Sequence, residues 1–473
     1  MRYVSTRGQA PSLSFKDVLL SGLARDGGLY VPAKWPRFSP TEWRNLSGRP
    51  YTELAEAVIT PFIGDDFSRT EIAAALRDAY ANFTHPAIAP IKQLGQTDFV
   101  MELFNGPTLA FKDFALQLLG RLFDLALRQE KRQAVILGAT SGDTGSAAIE
   151  ACRHCEALTV FILYPKGRMS DFQRRQMTTV EGKNVYAIAV EGSFDDAQDC
   201  VKALFNDLAF RDEVGLAAIN SINWARIMAQ VVYYAYAGLS LGAPDREIDF
   251  AVPTGNFGNI YAGYVAREMG LPIGLLALAT NRNDVMARVL ATGEMSLRPV
   301  EQSLSPSMDI QISSNFERLL FDLFDRDGLA LAAEMEKFRK LGKMVLADNG
   351  NESPMAQLRS LFTGLRVDDA TTIKTIQKIY RDTGEILDPH SAIAVHAMSN
   401  HARRQERLAK HVPMVALACA HPAKFAETVE QAIGVAAPPP PHLAKLAEKT
   451  ERIYTVAATP AAVKEFMYAH WQR

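Results

Sequence analysis

Cysteine is scarce in these 473 residues: there are four, too few and too scattered for a disulfide framework, and a reducing cytosol fits best. Cys152 and Cys155 form a Cys-x-x-Cys, but no second pair follows at finger-like spacing, and tetrahedral zinc takes four ligands. The pair reads as two helix cysteines, and no metal is expected. Long apolar runs are also missing. None approaches the roughly 18 residues that span a bilayer, which excludes a membrane helix. Residues 1–8 lack the apolar stretch of a secretory signal. Neither sign of charge dominates: 51 Lys+Arg stand against 53 Asp+Glu, with no long run of either, so no basic footprint offers itself to nucleic acid. What is present, 48% apolar and 22% charged residues, is the balance of a soluble globular protein. At about 100–200 residues per domain, the length implies two or three units.

The first eighty residues differ from the rest. Asp26-Gly27-Gly28-Leu29-Tyr30-Val31-Pro32 reads as a turn into a short extended segment, and helical spacing follows over 51–63 and 70–83. His85-Pro86 and Pro90 mark a boundary, because a residue before proline is pushed away from helix. Beyond it, short apolar runs at 134–137, 158–163, 185–190, 250–252 and 414–419 alternate with amphipathic stretches. Apolar runs without alternation, separated by helices, predict buried parallel strands covered on both faces, an α/β fold. Pro438–441 is extended polyproline and reads as a rigid connector. The expected units are a small, mostly helical domain (1–85), a catalytic region (86–437), and a connector with C-terminal helices (438–473).

Three loops carry candidate chemistry. In Asn105-Gly106-Pro107-Thr108-Leu109-Ala110-Phe111-Lys112-Asp113, Lys112 stands at a helix start among apolar neighbours. Both the dipole and the surroundings disfavour its charge and favour a reactive amine; taken alone, it reads more readily as a lysine that reaches solvent. Gly138-Ala139-Thr140-Ser141-Gly142-Asp143-Thr144-Gly145 leaves a strand and opens a helix, with the hydroxyls and free N–H groups of an anion site. Pro253-Thr254-Gly255-Asn256-Phe257-Gly258-Asn259 does the same, its glycines letting backbone approach an anion. Neither is a Walker loop or a dinucleotide fingerprint.

Together these loops resemble threonine synthases, pyridoxal-phosphate enzymes of the tryptophan-synthase-β-like group. Further matches are the Asp-Gly-Gly-Leu-Tyr-Val-Pro box at 26–32, Ser221-Ile222-Asn223-Trp224-Ala225-Arg226, Ile312-Ser313-Ser314-Asn315-Phe316-Glu317-Arg318, Asp388-Pro389-His390 and Ala420-His421-Pro422-Ala423-Lys424-Phe425. They occur in family order over most of the chain. The resemblance implies a two-lobed fold type II catalytic region behind the N-terminal domain. It implies Lys112 as the Schiff-base lysine, and Gly255, Asn256, Phe257, Gly258 and Asn259 as the cradle of the cofactor phosphate. Thr140, Ser141, Gly142, Asp143 and Thr144 would hold the substrate α-carboxylate and flank the cofactor hydroxyl. The implied reaction takes O-phospho-L-homoserine and water to L-threonine and phosphate through an external aldimine, as a carbon–oxygen lyase. A γ-phosphate asks for arginine, and the candidates are Arg226 with Ser221 and Asn223, and Arg318 with Ser314 and Asn315.

Three positions depart from the usual pattern: Asn105 where His is common, Asn259 where Asp is frequent, and Cys419 where a hydroxyl commonly faces the pyridine nitrogen. A thiol is a weak donor and would leave that nitrogen mostly unprotonated. His390 and His421 sit beside proline in short turns and read as structural. The rival readings are a dehydratase or sulfhydrylase of the same cofactor class and a non-catalytic homologue used for binding. Protein partners are not legible.

Overall fold

The computed structural model describes residues 1–471; the last two residues of the expected C-terminal segment lie outside them. An N-terminal unit pairs Tyr3–Ser5 antiparallel with Tyr30–Pro32 and adds four helices. Three of these, Phe15–Ser21, Pro40–Leu46 and Arg69–Tyr80, start on capping boxes, where Ser14, Ser39 and Ser68 each exchange bonds with an acid three residues on. Such caps contribute about 1 kcal/mol each. The unit does not close a core of its own: Tyr3, Phe62 and Trp43 belong to the same apolar cluster as Trp224 and Tyr233.

The remainder forms two lobes around two sheets. The larger sheet orders its strands 362–366, 273–280, 248–253, 414–418, 98–102 and 91–93, parallel except for the last pair. The smaller orders 454–457, 185–191, 158–165, 134–139 and 216–217, all parallel. Central strands such as Met414–Ala418 are buried at every position, which is why they appear in the sequence as unbroken apolar runs. Helices Lys112–Gln129 and Trp224–Ser240 pack against each other. Their first turns hold Lys112 and Arg226.

The C-terminal segment differs from the helices expected of it. After the polyproline come two short 3-10 turns, then strand Tyr454–Ala457, then a single α-helix, Pro460–His470. The strand joins the free edge of the smaller sheet beside Val185–Glu191. Edge backbone groups need partners, and this short Tyr-Thr-Val-Ala run supplies them.

Candidate active site

Two backbone ties bring distant loops together. Phe111 N–H donates to Cys419 O at 2.8 Å and His421 N–H to Leu109 O at 3.0 Å. They seat the first turn of helix Lys112–Gln129 against the end of strand Met414–Ala418. Leu109 is held at φ 62°, and Phe257 in the phosphate-type loop has the same value. Left-handed backbone in such bulky residues is strained and persists where surrounding structure imposes it, commonly at functional sites.

Lys112 is the first residue of its helix and is 9% exposed. Its Nζ donates to Asp143 Oδ2 at 3.1 Å and lies 5.3 Å from the centre of the Phe111 ring. Asp143 opens helix Asp143–Cys152 and also accepts from Ser307 Oγ, Gln173 Nε2 and the Lys424 ammonium. Burial alone would raise its pKa; the charges of Lys112, Lys424 and His390 outweigh burial and hold it well below the usual carboxylate range. Next to Lys112, Asp113 folds back on Thr108, accepting from its N–H at 2.9 Å and its hydroxyl at 2.6 Å. Burial pushes Asp113 up to about 6. Gly106 is required here, since a Cβ would fall 2.5 Å from that carboxylate.

The loop at 140–145 is shaped from within. Thr140 Oγ1 accepts from the N–H of Gly142 and of Gly145, at 3.0 and 2.9 Å. Gly142, at φ 148°, leaves no room for a side chain, because the Gln173 amide lies 2.7 Å from where a Cβ would sit. No side chain caps this helix; Ser141 is exposed and Thr144 half-buried beside it. The loop at 255–259 is built alike. Phe257 precedes helix Gly258–Glu268 without a side-chain cap, so first-turn N–H groups face outward. Gly255 is backed by Ser307 O, 2.9 Å from a notional Cβ, and its carbonyl accepts from Ser313 Oγ. Two open helix N-termini thus lie near one lysine, each suited to an anion.

The side chain of Asn259, in the first turn of helix Gly258–Glu268, points into the core. Its Oδ1 accepts from the hydroxyls of Tyr233 and Tyr234 at 2.5 and 3.1 Å, and its amide reaches Cys419 Sγ at 3.6 Å. The thiol in turn faces Leu417 O at 3.7 Å. Burial pushes Cys419 far above the ordinary thiol range, so it stays neutral.

The arginine candidates separate. Arg318 is fully buried and spent on scaffold: it donates to Tyr30 O at 3.0 Å, to Ile222 O at 2.5 Å and to Asn315 Oδ1. Asn315 gives its amide to Asn256 O and Ser221 O, and Ser314 hydroxyl bonds Asn256 Oδ1. Asn223 caps helix Trp224–Ser240 through Ala225 N–H and donates to Leu19 O. These side chains frame the loops, and their donors are taken. Arg226 is the exception. It is 4% exposed, its Nε has no partner, and no carboxylate among the described residues pairs with it. Burial lowers it to about 10. Seven residues on along the same helix face, Tyr233 bonds Asn259 beside Cys419.

Sequence reasoning missed Gln173, Ser307, Lys424 and the Tyr233–Tyr234 pair; only Lys424 carried a signal, its place in the Ala-His-Pro-Ala-Lys-Phe box. His421 accepts from Ala423 N–H at 3.1 Å and is lowered to about 4 by burial. His390 Nδ1 lies 2.7 Å from Asp388 Oδ2, and its Nε2 is buried without a partner.

Comparison with known proteins finds the same architecture elsewhere. Residues 2–80 match the family described as threonine synthase N terminus, residues 85–344 the pyridoxal-phosphate dependent enzymes, and residues 391–467 threonine synthase, C-terminal. The threonine synthase of Pseudomonas aeruginosa is 53% identical over 425 residues, 90% of this chain and 89% of that one. That of Saccharomyces cerevisiae is 41% identical over 460 residues, covering 90% and 87%. The crystal structure of pyridoxal-phosphate-bound threonine synthase from Brucella melitensis superimposes with a TM-score of 0.96, at 48% identity and full coverage of both chains.

Proposed function

This chain belongs to the threonine synthase family of pyridoxal-phosphate enzymes, and we propose that its substrate is O-phospho-L-homoserine, converted with water to L-threonine and phosphate. One observation carries the choice of substrate: Arg226, a buried guanidinium with no carboxylate beside it among the described residues. Leaving a buried charge unpaired costs several kcal/mol, of the order of about 3–5. A phosphate ester entering the site supplies the missing charge and fits the planar fork of arginine.

The residues present fit the cofactor. Lys112 would offer the amine, the open N-terminus at Gly255, Asn256, Phe257, Gly258 and Asn259 would take the phosphate, and a neutral Cys419 would serve the ring nitrogen. Bound there, the cofactor serves as an electron sink for negative charge at the substrate Cα. The remaining work falls to side chains and backbone. N–H groups at the start of helix Asp143–Cys152 hold the α-carboxylate. The Lys112 amine moves the protons at Cα and Cβ. Arg226 holds the phosphate as it leaves Cγ, after which water adds at Cβ.

No described helix is long and apolar enough to cross a membrane. Four free thiols support a place in the reducing cytoplasm.

Arg226→Met tests the reading. KM for O-phospho-L-homoserine rises by about two orders of magnitude, the loss of one charge-assisted bidentate contact, while the absorbance of bound cofactor is unchanged. Unaltered kinetics would remove Arg226 and the substrate assignment that rests on it.

A further inference from the structure

Lys424 has no part in the reaction just described, yet it is among the most confined residues of the site. It lies on the short turn Pro422–Phe425 that follows the larger sheet's strand Met414–Ala418, and its side chain is fully buried. Its ammonium meets Thr108 O at 2.8 Å, Gln176 Oε1 at 3.0 Å and Asp143 Oδ1 at 2.9 Å. An ammonium has three protons, and three acceptors take them. Nothing remains to reach a substrate.

The three acceptors stand on three different elements. Thr108 precedes helix Lys112–Gln129, Asp143 opens helix Asp143–Cys152, and Gln176 sits on helix Asp171–Thr178. The last two flank the smaller sheet, so one cation from the large lobe fastens two helices of the small lobe. At Asp143 the two lysines divide the carboxylate. Oδ2 takes Lys112 with Ser307, and Oδ1 takes Lys424 with Gln173. His390, on helix Pro389–Asn400, is the third ionisable group whose charge acts there. Lys112 must leave Asp143 when its amine engages cofactor and substrate. Without Lys424, the carboxylate would then be buried with no lysine paired to it, and burial favours the protonated acid.

We propose that Lys424 is a positioning residue: a fixed counter-cation that keeps Asp143 ionised and oriented while Lys112 moves, and that pins the small lobe to the large one across the site. The inference rests on the reading that Lys112 carries the cofactor with Asp143 beside it.

The test uses cofactor-loaded wild type, Lys424→Met, Asp143→Asn and the double variant, comparing kcat, KM and the absorption maximum of bound cofactor. Lys424→Met is expected to lower kcat by about 100-fold or more with KM within about threefold, and to shift the absorption maximum as Asp143→Asn does. Because Lys424 acts through Asp143, the double variant should match Asp143→Asn within about threefold. If Lys424→Met fails to fold, the double variant carries the test, since both members of the buried pair are then neutral. Lys424→Met with wild-type kcat and absorbance would overturn the proposal, and so would a double variant far worse than Asp143→Asn. Borohydride reduction and peptide mapping of loaded wild type separate the two readings. A pyridoxyl group on any residue other than Lys112 defeats the underlying one, whereas a pyridoxyl group on Lys112 with an unaffected Lys424→Met defeats this one alone.

Discussion

At the scale of single residues, two arginines of one type and similar burial have opposite surroundings. Arg318 finds an acceptor for each arm of its guanidinium, and in doing so fixes Tyr30 of the N-terminal unit to the loop before helix Trp224–Ser240. Arg226 finds none. The sequence could not separate them, because both follow Ser and Asn in similar boxes and burial depends on tertiary packing. Stability does separate them. Arg318→Met strips three acceptors of their donor and should destabilise the protein by about 3 kcal/mol or more. Arg226→Met removes an unpaired buried charge and should leave stability equal or higher. Urea unfolding of the substrate-free proteins measures both; the reverse order would contradict a scaffold role for Arg318 and an anion-binding role for Arg226. Asn259 teaches a related lesson: its place in the loop was legible, but its inward rotation depends on tyrosines 25 and 26 residues away.

At the scale of elements, helix Asp143–Cys152 has two unlike ends. Its N-terminus opens into the site; near its C-terminus, burial raises Glu150 to about 7, against the pull of Arg153. An acid there also opposes the helix dipole. The folded carboxyl holds its proton to about 7, whereas the unfolded one releases it near about 4.3. Between those values the folded state binds more protons, so stability falls as pH rises through the window and the cost is complete above it. Glu150→Gln should match wild type at pH near 4 and exceed it by about 1 kcal/mol or more at pH near 8. Parallel stability curves for the two proteins would show that Glu150 titrates normally. Among elements, buried strands such as Ala134–Ala139 were legible because burial on both faces demands an unbroken apolar run. Strand Tyr454–Ala457 was not: it is an edge strand of alternating exposure, and only the neighbouring sheet makes it a strand.

At the scale of the molecule, Lys112, Asp143, Arg226, the loop at 255–259 and Cys419 come from five separate elements. Their motifs were readable in order along the chain, and the resemblance they carried gave family, cofactor and lobes. Hidden from the sequence was everything set by the meeting of lobes: the pairing of Lys112 with Asp143, the second lysine behind it, and a core shared between the N-terminal unit and the catalytic region. That shared core makes the N-terminal unit a wall of the enzyme rather than an appendage. The central claim is that this assembly replaces a γ-phosphate by a hydroxyl at Cβ. The direct measurement is to supply O-phospho-L-homoserine to the cofactor-loaded protein and quantify both products. Phosphate and L-threonine in equal amounts are the expected result; phosphate accompanied by a keto acid, or neither product from a protein that holds its cofactor, would contradict it.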